Sequence, residues 1–392
     1  MSWGVRMQYK TIGEICTVVS GTTPKSDKAE YWGGNLIWIT PAELKEGNAV
    51  IYDSVRHITK AAVKASALKP FPKGTVILSS RAPIGKVAIA GTKMYCNQGF
   101  KNLICSEAIY NGYLYYYLKA KTAYLNSLGR GATFREISKQ IVEKIKIPVP
   151  SMQEQHRIAD ILFKIDALMG KRQRQAEKLD ELVKARFVEM FGDPVLNTKR
   201  FPQHELKEYI QFLTSGSRGW AKYFSDEGEL FITIKNVKNG HIDLVDVQHV
   251  MPPDNAEAKR TKVQAGDLLI SITADLGRTG VVSDNLAQRG AYINQHLTCI
   301  RLKKDEVLPQ YVSAFLESAA GKRQFSAKNQ SAVKAGLNFE AIKSLRLFMP
   351  PLELQREYIA FVNEVDREKE RIQRSAALLE TLKRSLMQQY FG

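Results

Sequence analysis

At 392 residues the chain exceeds one ordinary domain and can hold two sizeable cores plus connecting elements. Its 44% hydrophobic and 25% charged residues exclude a disordered or fibrous chain. The 57 Lys and Arg against 40 Asp and Glu give a net charge of +17, which favours a polyanionic partner, although a merely basic soluble protein fits the same number.

In chain order, the amino-terminal MSWGVRMQYKTIGEIC has no apolar signal-peptide core. No later run approaches the roughly 18 apolar residues of a membrane helix, so a cytoplasmic location is expected. Residues 1–149 then read as a first globule. Short β-rich runs, Leu36-Ile37-Trp38-Ile39 and Thr75 to Leu78, are punctuated by Gly, Pro and Asn turns and point to an α+β fold. The run Tyr113 to Leu118, YLYYYL, resembles a base-stacking platform in composition, but its helical spacing favours core. Residues 150–192 read as one helix. Ser151 with Glu154 forms a capping box after Pro150, and Gly192 with Pro194 closes the far end. Residues 193–349 form a second globule with β-rich runs at Leu230 to Ile234 and Asp267 to Ile272, and residues 350–392 a second helix.

The two halves are a tandem repeat, which dictates architecture before any motif does. Ile147 to Gln155 parallels Leu347 to Gln355, and Phe191-Gly192 parallels Phe391-Gly392, both at an offset of 200 residues. Upstream the register drifts as loops differ: Asn97-Gln98 matches Asn294-Gln295, Gly74 to Ser79 matches Gly266 to Ser271, Val55-Arg56-His57 matches Val247-Gln248-His249, and Tyr113-Leu114 matches Tyr311-Val312. Each helix, about 60 Å long at 1.5 Å per residue, carries a coiled-coil 4,3 seam. In the first the seam is Ile158, Leu162, Ile165, Met169, Arg172, Ala176, Leu179, Val183, Arg186 and Met190. In the second it is Tyr358, Val362, Val365, Lys369, Ile372, Ala376, Leu379, Lys383, Leu386 and Tyr390. Both weaken at charged positions, Arg172 with Lys369 and Arg186 with Lys383; polar register devices and an offset seam fit equally. A chain that leaves one globule along a helix and returns along the next makes an antiparallel pair. The expected architecture is therefore two similar α/β domains joined by an antiparallel coiled coil, a pseudo-two-fold dumbbell. A single large helical domain fits two long, capped helices separated by a globule poorly.

Catalytic signatures are missing. There is no GxxxxGK[ST], no GxGxxG after a strand and no GxSxG elbow. An Asn- or Asp-Pro-Pro-Tyr tetrapeptide is absent too; Met251-Pro252-Pro253-Asp254 and Met349-Pro350-Pro351-Leu352 resemble one only superficially. Glu43 and Lys45 form an ExK element without a partner acid, better read as a charged turn. The four cysteines, Cys16, Cys96, Cys105 and Cys299, lack ligand spacing, and the six His show none either, so no metal site is expected. His57 and His249, at matching repeat positions, are expected to be structural.

The strings Gly21-Thr22-Thr23-Pro24, Tyr31-Trp32-Gly33-Gly34, Ile37-Trp38-Ile39, Ser79 to Gly85 (SSRAPIG) and Asn97 to Lys101 (NQGFK) occur in the order seen in type I restriction-modification specificity subunits. Pro150 to Arg157 and Pro350 to Arg356 look like the starts of that family's two conserved helical regions. The second globule departs from the first, with Ser215 to Trp220 (SGSRGW) and Ser271 to Gly277 (SITADLG). The resemblance spans nearly the whole chain. It implies a target-recognition domain in each globule, each reading a different half-site of a bipartite DNA target. It further implies a helical spacer docking two methyltransferase (modification) subunits, with motor-nuclease (restriction) subunits joining that core. S-adenosylmethionine, ATP and magnesium would be used by those partners, and this chain would be non-catalytic and without a cofactor. Two similar domains on a rigid rod also suit a divided site, since half-sites on one duplex face recur about every 34 Å.

Polar loop residues beside strands are the expected DNA contacts, Arg or Lys for guanine and phosphate, Gln or Asn for adenine. In the first domain these are Arg81, Lys86, Gln98, Lys101, Arg130, Thr133 and Arg135. In the second they are Arg218, Lys222, Lys235, Asn236, Arg278, Gln295, Asn329, Gln330 and Lys334. Two other readings compete: a self-sufficient DNA methyltransferase or nuclease, against which the missing motifs argue, and a stand-alone binding protein or specificity module of a modification-only system.

Overall fold

The computed structural model describes residues 8–45, 47–81, 83–131, 135–330 and 336–392. The chain divides into two compact units, Met1–Gln175 with Ile372–Gly392, and Ala176–Arg371. Both long helices are continuous over 40 residues, Met152–Phe191 and Leu352–Phe391, and each passes from one unit into the other. Ser151 caps the first, its hydroxyl accepting the Glu154 amide at 3.3 Å. Gly192, at φ +78°, ends it in the left-handed conformation that glycine adopts without strain. Among the described residues no helix is long and apolar enough to cross a membrane.

In the first unit a five-stranded sheet runs in the order Cys16–Ser20, Phe100–Cys105, Val76–Ser79, Val87–Ala90, Val50–Ile51. Its pairs are antiparallel except the last, which is parallel. A three-stranded sheet places Trp32–Ile39 between antiparallel Arg56–Ile58 and parallel Tyr95–Cys96. The second unit repeats the plan. One sheet orders Ile210–Ser215, Leu297–Leu302, Leu268–Ser271, Thr279–Val281 antiparallel throughout. The other orders Phe224–Ser225, Gln248–Val250, Glu229–Ile232, Ala291–Ile293, ending in the corresponding parallel pair.

Each globule is locked to its helix by the same bonds. The buried side chain of Gln155 accepts the Tyr110 amide at 2.7 Å and donates to the Ala108 and Pro150 carbonyls at 3.1 and 2.9 Å. Buried Gln355 accepts the Leu308 amide at 2.9 Å and donates to Pro350 at 2.9 Å. The Tyr113 hydroxyl donates to Pro148 at 3.0 Å, and that of Tyr311 to Phe348 at 2.7 Å. The YLYYYL run is core: every residue from Tyr113 to Leu118 is buried in helix Asn111–Ala120. Burial of so many ring faces beside Ile158, Leu162 and Phe391 supplies much of the apolar area that holds this unit together. In the second unit Phe187 and Phe191 pack against Tyr311 and Tyr358 in the same way.

None of the twenty seam positions is solvent-exposed. Ile158, Leu162 and Ile165 are buried in the first unit and Val365 in the second, while Leu179, Val362, Ile372 and Leu379 are half-buried. Within each unit the helix segments run antiparallel. In the first, Arg157 lies over the Tyr390 ring and Asp166 meets Lys383 at 2.6 Å. In the second, Asp180 meets Lys369 at 2.6 Å and Arg186 lies over the Phe361 ring. Three of the charged seam positions, Lys383, Lys369 and Arg186, thus contact the other helix segment of their own unit, while Arg172 bonds Gln175 of its own helix at 3.0 Å. The Asp166 carboxylate also accepts the Tyr116 hydroxyl at 2.8 Å, and burial with this charge pushes the tyrosine's pKa well above its usual value.

Candidate nucleic-acid interface

In both units the parallel strand pair directs two loops to one place. Ile39 and Cys96 are register partners, as are Ile232 and Ile293. After Ile39 the chain enters a capped turn in which the Glu43 carboxylate accepts the Thr40 amide and hydroxyl. Its other oxygen accepts the Val55 amide at 2.7 Å, so the ExK acid is occupied by a structural cap. After Ile232, Thr233 is capped by Asn236, whose Oδ1 accepts the Thr233 amide and hydroxyl, both at 2.9 Å.

After Cys96, Asn97 folds back to accept the Gly99 amide at 2.9 Å; after Ile293, Asn294 accepts the His296 amide at 3.2 Å. Such side-chain turns hold the intervening Gln98 and Gln295 at the loop tip. A third segment packs on this tip. The Thr22 amide donates to the Cys96 carbonyl at 3.0 Å, and the Ser217 amide to that of Ile293 at 2.8 Å. The approach is so close that a Cβ on Gly21 would lie 2.1 Å from the Asn97 oxygen, and one on Gly216 at the same 2.1 Å from that of Asn294. On this matched frame the Thr23 hydroxyl donates to Gln98 Oε1, and Arg218 Nε to Gln295 Oε1. Thr23, Gln98 and Arg218 are exposed and Gln295 half-buried.

The neighbouring hairpin is also built twice. The Ser79 hydroxyl donates to the Pro83 carbonyl at 2.7 Å and accepts the Lys86 amide at 2.9 Å. Ser271 does the same with Asp275 and with Arg278, whose amide it accepts at 2.9 Å. Lys86 reaches the Pro41 carbonyl at 3.4 Å, which puts it beside the capped turn, whereas Arg278 pairs with Asp275 at 2.6 Å. Arg278, Lys238 and Lys322 line an open recess of about 550 Å³ together with Glu317 and Asp275.

Arg81 and Arg130 gather about Glu136 through backbone bridges, and Arg135 adjoins it in the chain. Two expected contacts are corrected. Lys101 is 5% exposed, because both faces of its strand are covered, and its ammonium is held by Glu136 at 3.0 Å and Ser80 at 3.2 Å. It neutralises Glu136 from inside instead of facing solvent. Asn236 is 3% exposed, consumed by the Thr233 cap and by donation to the Asp243 carbonyl at 3.0 Å. Lys222 and Lys235 are exposed, the former 4.9 Å from the Tyr223 ring centroid. Asn329 is half-buried and accepts the Gly336 amide at 3.2 Å. Thr133, Lys334 and the Gln330 side chain lie outside the described residues. Sequence reasoning did not single out Thr23, or Arg56, whose guanidinium stacks 3.6 Å from the Trp32 ring. Thr23 stood inside the GTTP string; the position of Arg56 beside a tryptophan arises only from strand pairing.

The chain matches the type I restriction modification DNA specificity domain twice, over residues 4–178 and 203–380. It is 39% identical over 223 residues to the type I restriction enzyme MjaIX specificity subunit of Methanocaldococcus jannaschii, covering 56% of this chain and 49% of that protein. It is 31% identical over 169 residues to the EcoR124I/EcoR124II specificity subunit of Escherichia coli, covering 41% of each. These matched stretches thus span about half or less of the relatives' own length. A match of 25% identity to the EcoKI specificity subunit of Escherichia coli K12 runs over 378 residues, 90% of this chain and 81% of that one. The fold is similar to the crystal structure of a type I system S subunit from M. genitalium, with a TM-score of 0.60 at 14% identity over 100% of this chain and 98% of the other.

Proposed function

The chain belongs to the type I restriction-modification DNA specificity family, and from that premise we propose that it is the non-catalytic DNA reader of a multisubunit modification and restriction complex. Each globule reads one half of a bipartite duplex target, and the paired helices set the spacing and dock two methyltransferase subunits, through which the motor-nuclease subunits join. S-adenosylmethionine, ATP and magnesium act on those partners. The observation that carries the reading is the duplicated three-loop frame: one backbone scaffold, presented twice, with different exposed polar side chains at equivalent places. Base edges are told apart by such donors and acceptors, and a reader of two different half-sites needs them to differ.

The helices support the docking role. Leu182 and Leu382, at equivalent repeat positions, are 46% and 48% exposed, and Leu378 is 72% exposed. We read the matched leucines as part of the surfaces offered to the methyltransferase subunits, since the repeat leaves both of them facing solvent.

The test is duplex binding by the purified chain across a salt series, with methyl transfer from S-adenosylmethionine followed in parallel. Binding is expected to weaken steeply with salt, as phosphate contacts release counterions, with methylation arising only once the methyltransferase is added. Methyl transfer by the rigorously pure chain alone would refute the assignment.

A further inference from the structure

The duplicated frame separates what the fold needs from what it leaves open. Backbone donors and acceptors fix Gly21 and Gly216 against the Asn-Gln loops to nearly the same distances. In the two strings SGTTP and SGSRG, residues Ser20-Gly21 and Ser215-Gly216 are unchanged, and Thr22 against Ser217 keeps a hydroxyl. The next position changes chemistry entirely, from Thr23 to Arg218, yet in both units that side chain bonds the same atom of the same residue, Oε1 of Gln98 or Gln295. A structural purpose alone would be met by one residue type. Two residue types sharing one anchor and both exposed imply that the outward-facing chemistry is what differs.

That chemistry follows from donor and acceptor count. Arg218 spends Nε on Gln295, and this holds its guanidinium with the two terminal nitrogens projecting as a planar fork. Its backbone amide lies 3.4 Å from Glu257 Oε1, and Glu257 Oε2 accepts Trp220 Nε1 at 3.1 Å, which steadies the base of the fork. A fork of two donors matches the O6 and N7 acceptors of guanine in the major groove. In the first unit the Thr23 hydroxyl has given its proton to Gln98, so its oxygen remains an acceptor while the Gln98 amide nitrogen remains a donor. One donor beside one acceptor matches N7 and the N6 amino group of adenine.

Resting on the reading of the chain as a two-domain DNA reader, we propose that Arg218 with Gln295 reads a guanine in one half-site and Thr23 with Gln98 an adenine in the other. The pair is interchangeable because its frame is. Placing arginine at position 23, beside the retained Gln98, converts the adenine of that half-site to guanine. Placing threonine at position 218 does the reverse in the other.

The experiment is selection of randomised duplex DNA by the full chain assembled with its methyltransferase, comparing wild type, Thr23→Arg, Arg218→Thr and Arg218→Lys. Wild type is expected to select a split target. Thr23→Arg should change one base of one half-site from adenine to guanine, and Arg218→Thr one base of the other from guanine to adenine, each leaving the opposite half-site untouched. Arg218→Lys keeps the charge but loses the fork, and its guanine preference should fall about 10- to 100-fold at that position alone. Because lysine is the mildest change, that variant holds the test open if a swapped residue disturbs its loop. Variants that select the wild-type bases at every position overturn the proposal while leaving the two-domain reader intact. Wild type selecting no sequence at all overturns the reader itself.

Discussion

The two seams carry their charges at different places, Lys369 and Lys383 of the second helix standing where the first has apolar residues, and this makes the two helices unequal as partners. Asp166 meets Lys383, both partly shielded from solvent, and Asp180, itself exposed, meets the partly shielded Lys369. At the 200-residue offset the lysine positions are occupied in the first helix by Val183 and Met169, while Asp166 and Asp180 correspond to Asp366 and Glu380. A fragment of residues 1–192 is expected to fold and dimerise through its helix, burying the Ile158, Ile165 and Leu179 seam. In that symmetric dimer each Asp166 faces Val183 of the other copy and finds no cation. Replacing Val183 by Lys recreates the Asp166–Lys383 arrangement twice per dimer. A half-buried pair lies between the ~0.5 kcal/mol of an exposed bridge and the several kcal/mol of a buried one. About 1 kcal/mol per pair, net of the lost valine, gives about 2 kcal/mol in total, or roughly 30-fold in dissociation constant. The lysine stem covers the seam as that of Lys383 does. Sedimentation equilibrium of the fragment and its Val183→Lys form measures the difference directly. The gain should shrink in high salt, as screening requires. A Val183→Lys fragment that dimerises no better than the parent, or a parent that stays monomeric at high concentration, would refute this account of the seam.

Three further outcomes are expected. Gln155→Ala and Gln355→Ala each strip a buried amide and a buried carbonyl of their partner, so each should lower stability in urea by about 2–4 kcal/mol with the m-value unchanged. Leu182→Glu with Leu382→Glu should weaken assembly with the methyltransferase in co-purification, with duplex binding by the chain itself unaffected, since both side chains already face solvent. Seven residues inserted near both Arg174 and Arg374 keep the heptad seam and add about 10 Å at 1.5 Å per residue, roughly three base pairs at 3.4 Å each. Methylation-site sequencing should then show both half-sites unchanged and the unread spacer longer; activity confined to the original spacer would show that the helices are not the ruler.

What was legible in the sequence was what periodicity governs. The stripe from Ile158 to Met190 and its counterpart from Tyr358 to Tyr390 stand out in the sequence because burial of one helical stripe leaves a 4,3 imprint whatever the partner, whereas the buried Phe187, Phe191 and Phe391 beside the stripe do not. The charged interruptions could not be interpreted, since a lysine in a seam position carries no sign of the aspartate it meets on another helix; Lys369 and Lys383 become intelligible only through Asp180 and Asp166. Lys101 and Asn236 were misread for a related reason. Lys101 belongs to a strand covered on both faces, where residue type and neighbours NQGFK suggested an open loop. Asn236 had a usable signal in the spacing Thr233 to Asn236, which repeats the capping spacing Thr40 to Glu43 with a shorter acceptor.

The three-loop frame was illegible for a deeper physical reason that also explains its use. Its bonds run from backbone to backbone, Thr22 to Cys96 and Ser217 to Ile293, or through an asparagine folding onto its own loop, and only glycine fits at the point of closest approach. Main-chain bonds leave no trace in side-chain pattern apart from that glycine. By the same token, they leave the side chains beside them free of structural duty. Thr23 and Arg218 can therefore differ with no loss to either core, whereas Gln155 and Gln355, whose side chains are themselves the fastening, cannot. In a duplicated reader, then, specificity is expected to diverge where the backbone holds the loop, and the repeat to persist where a side chain does.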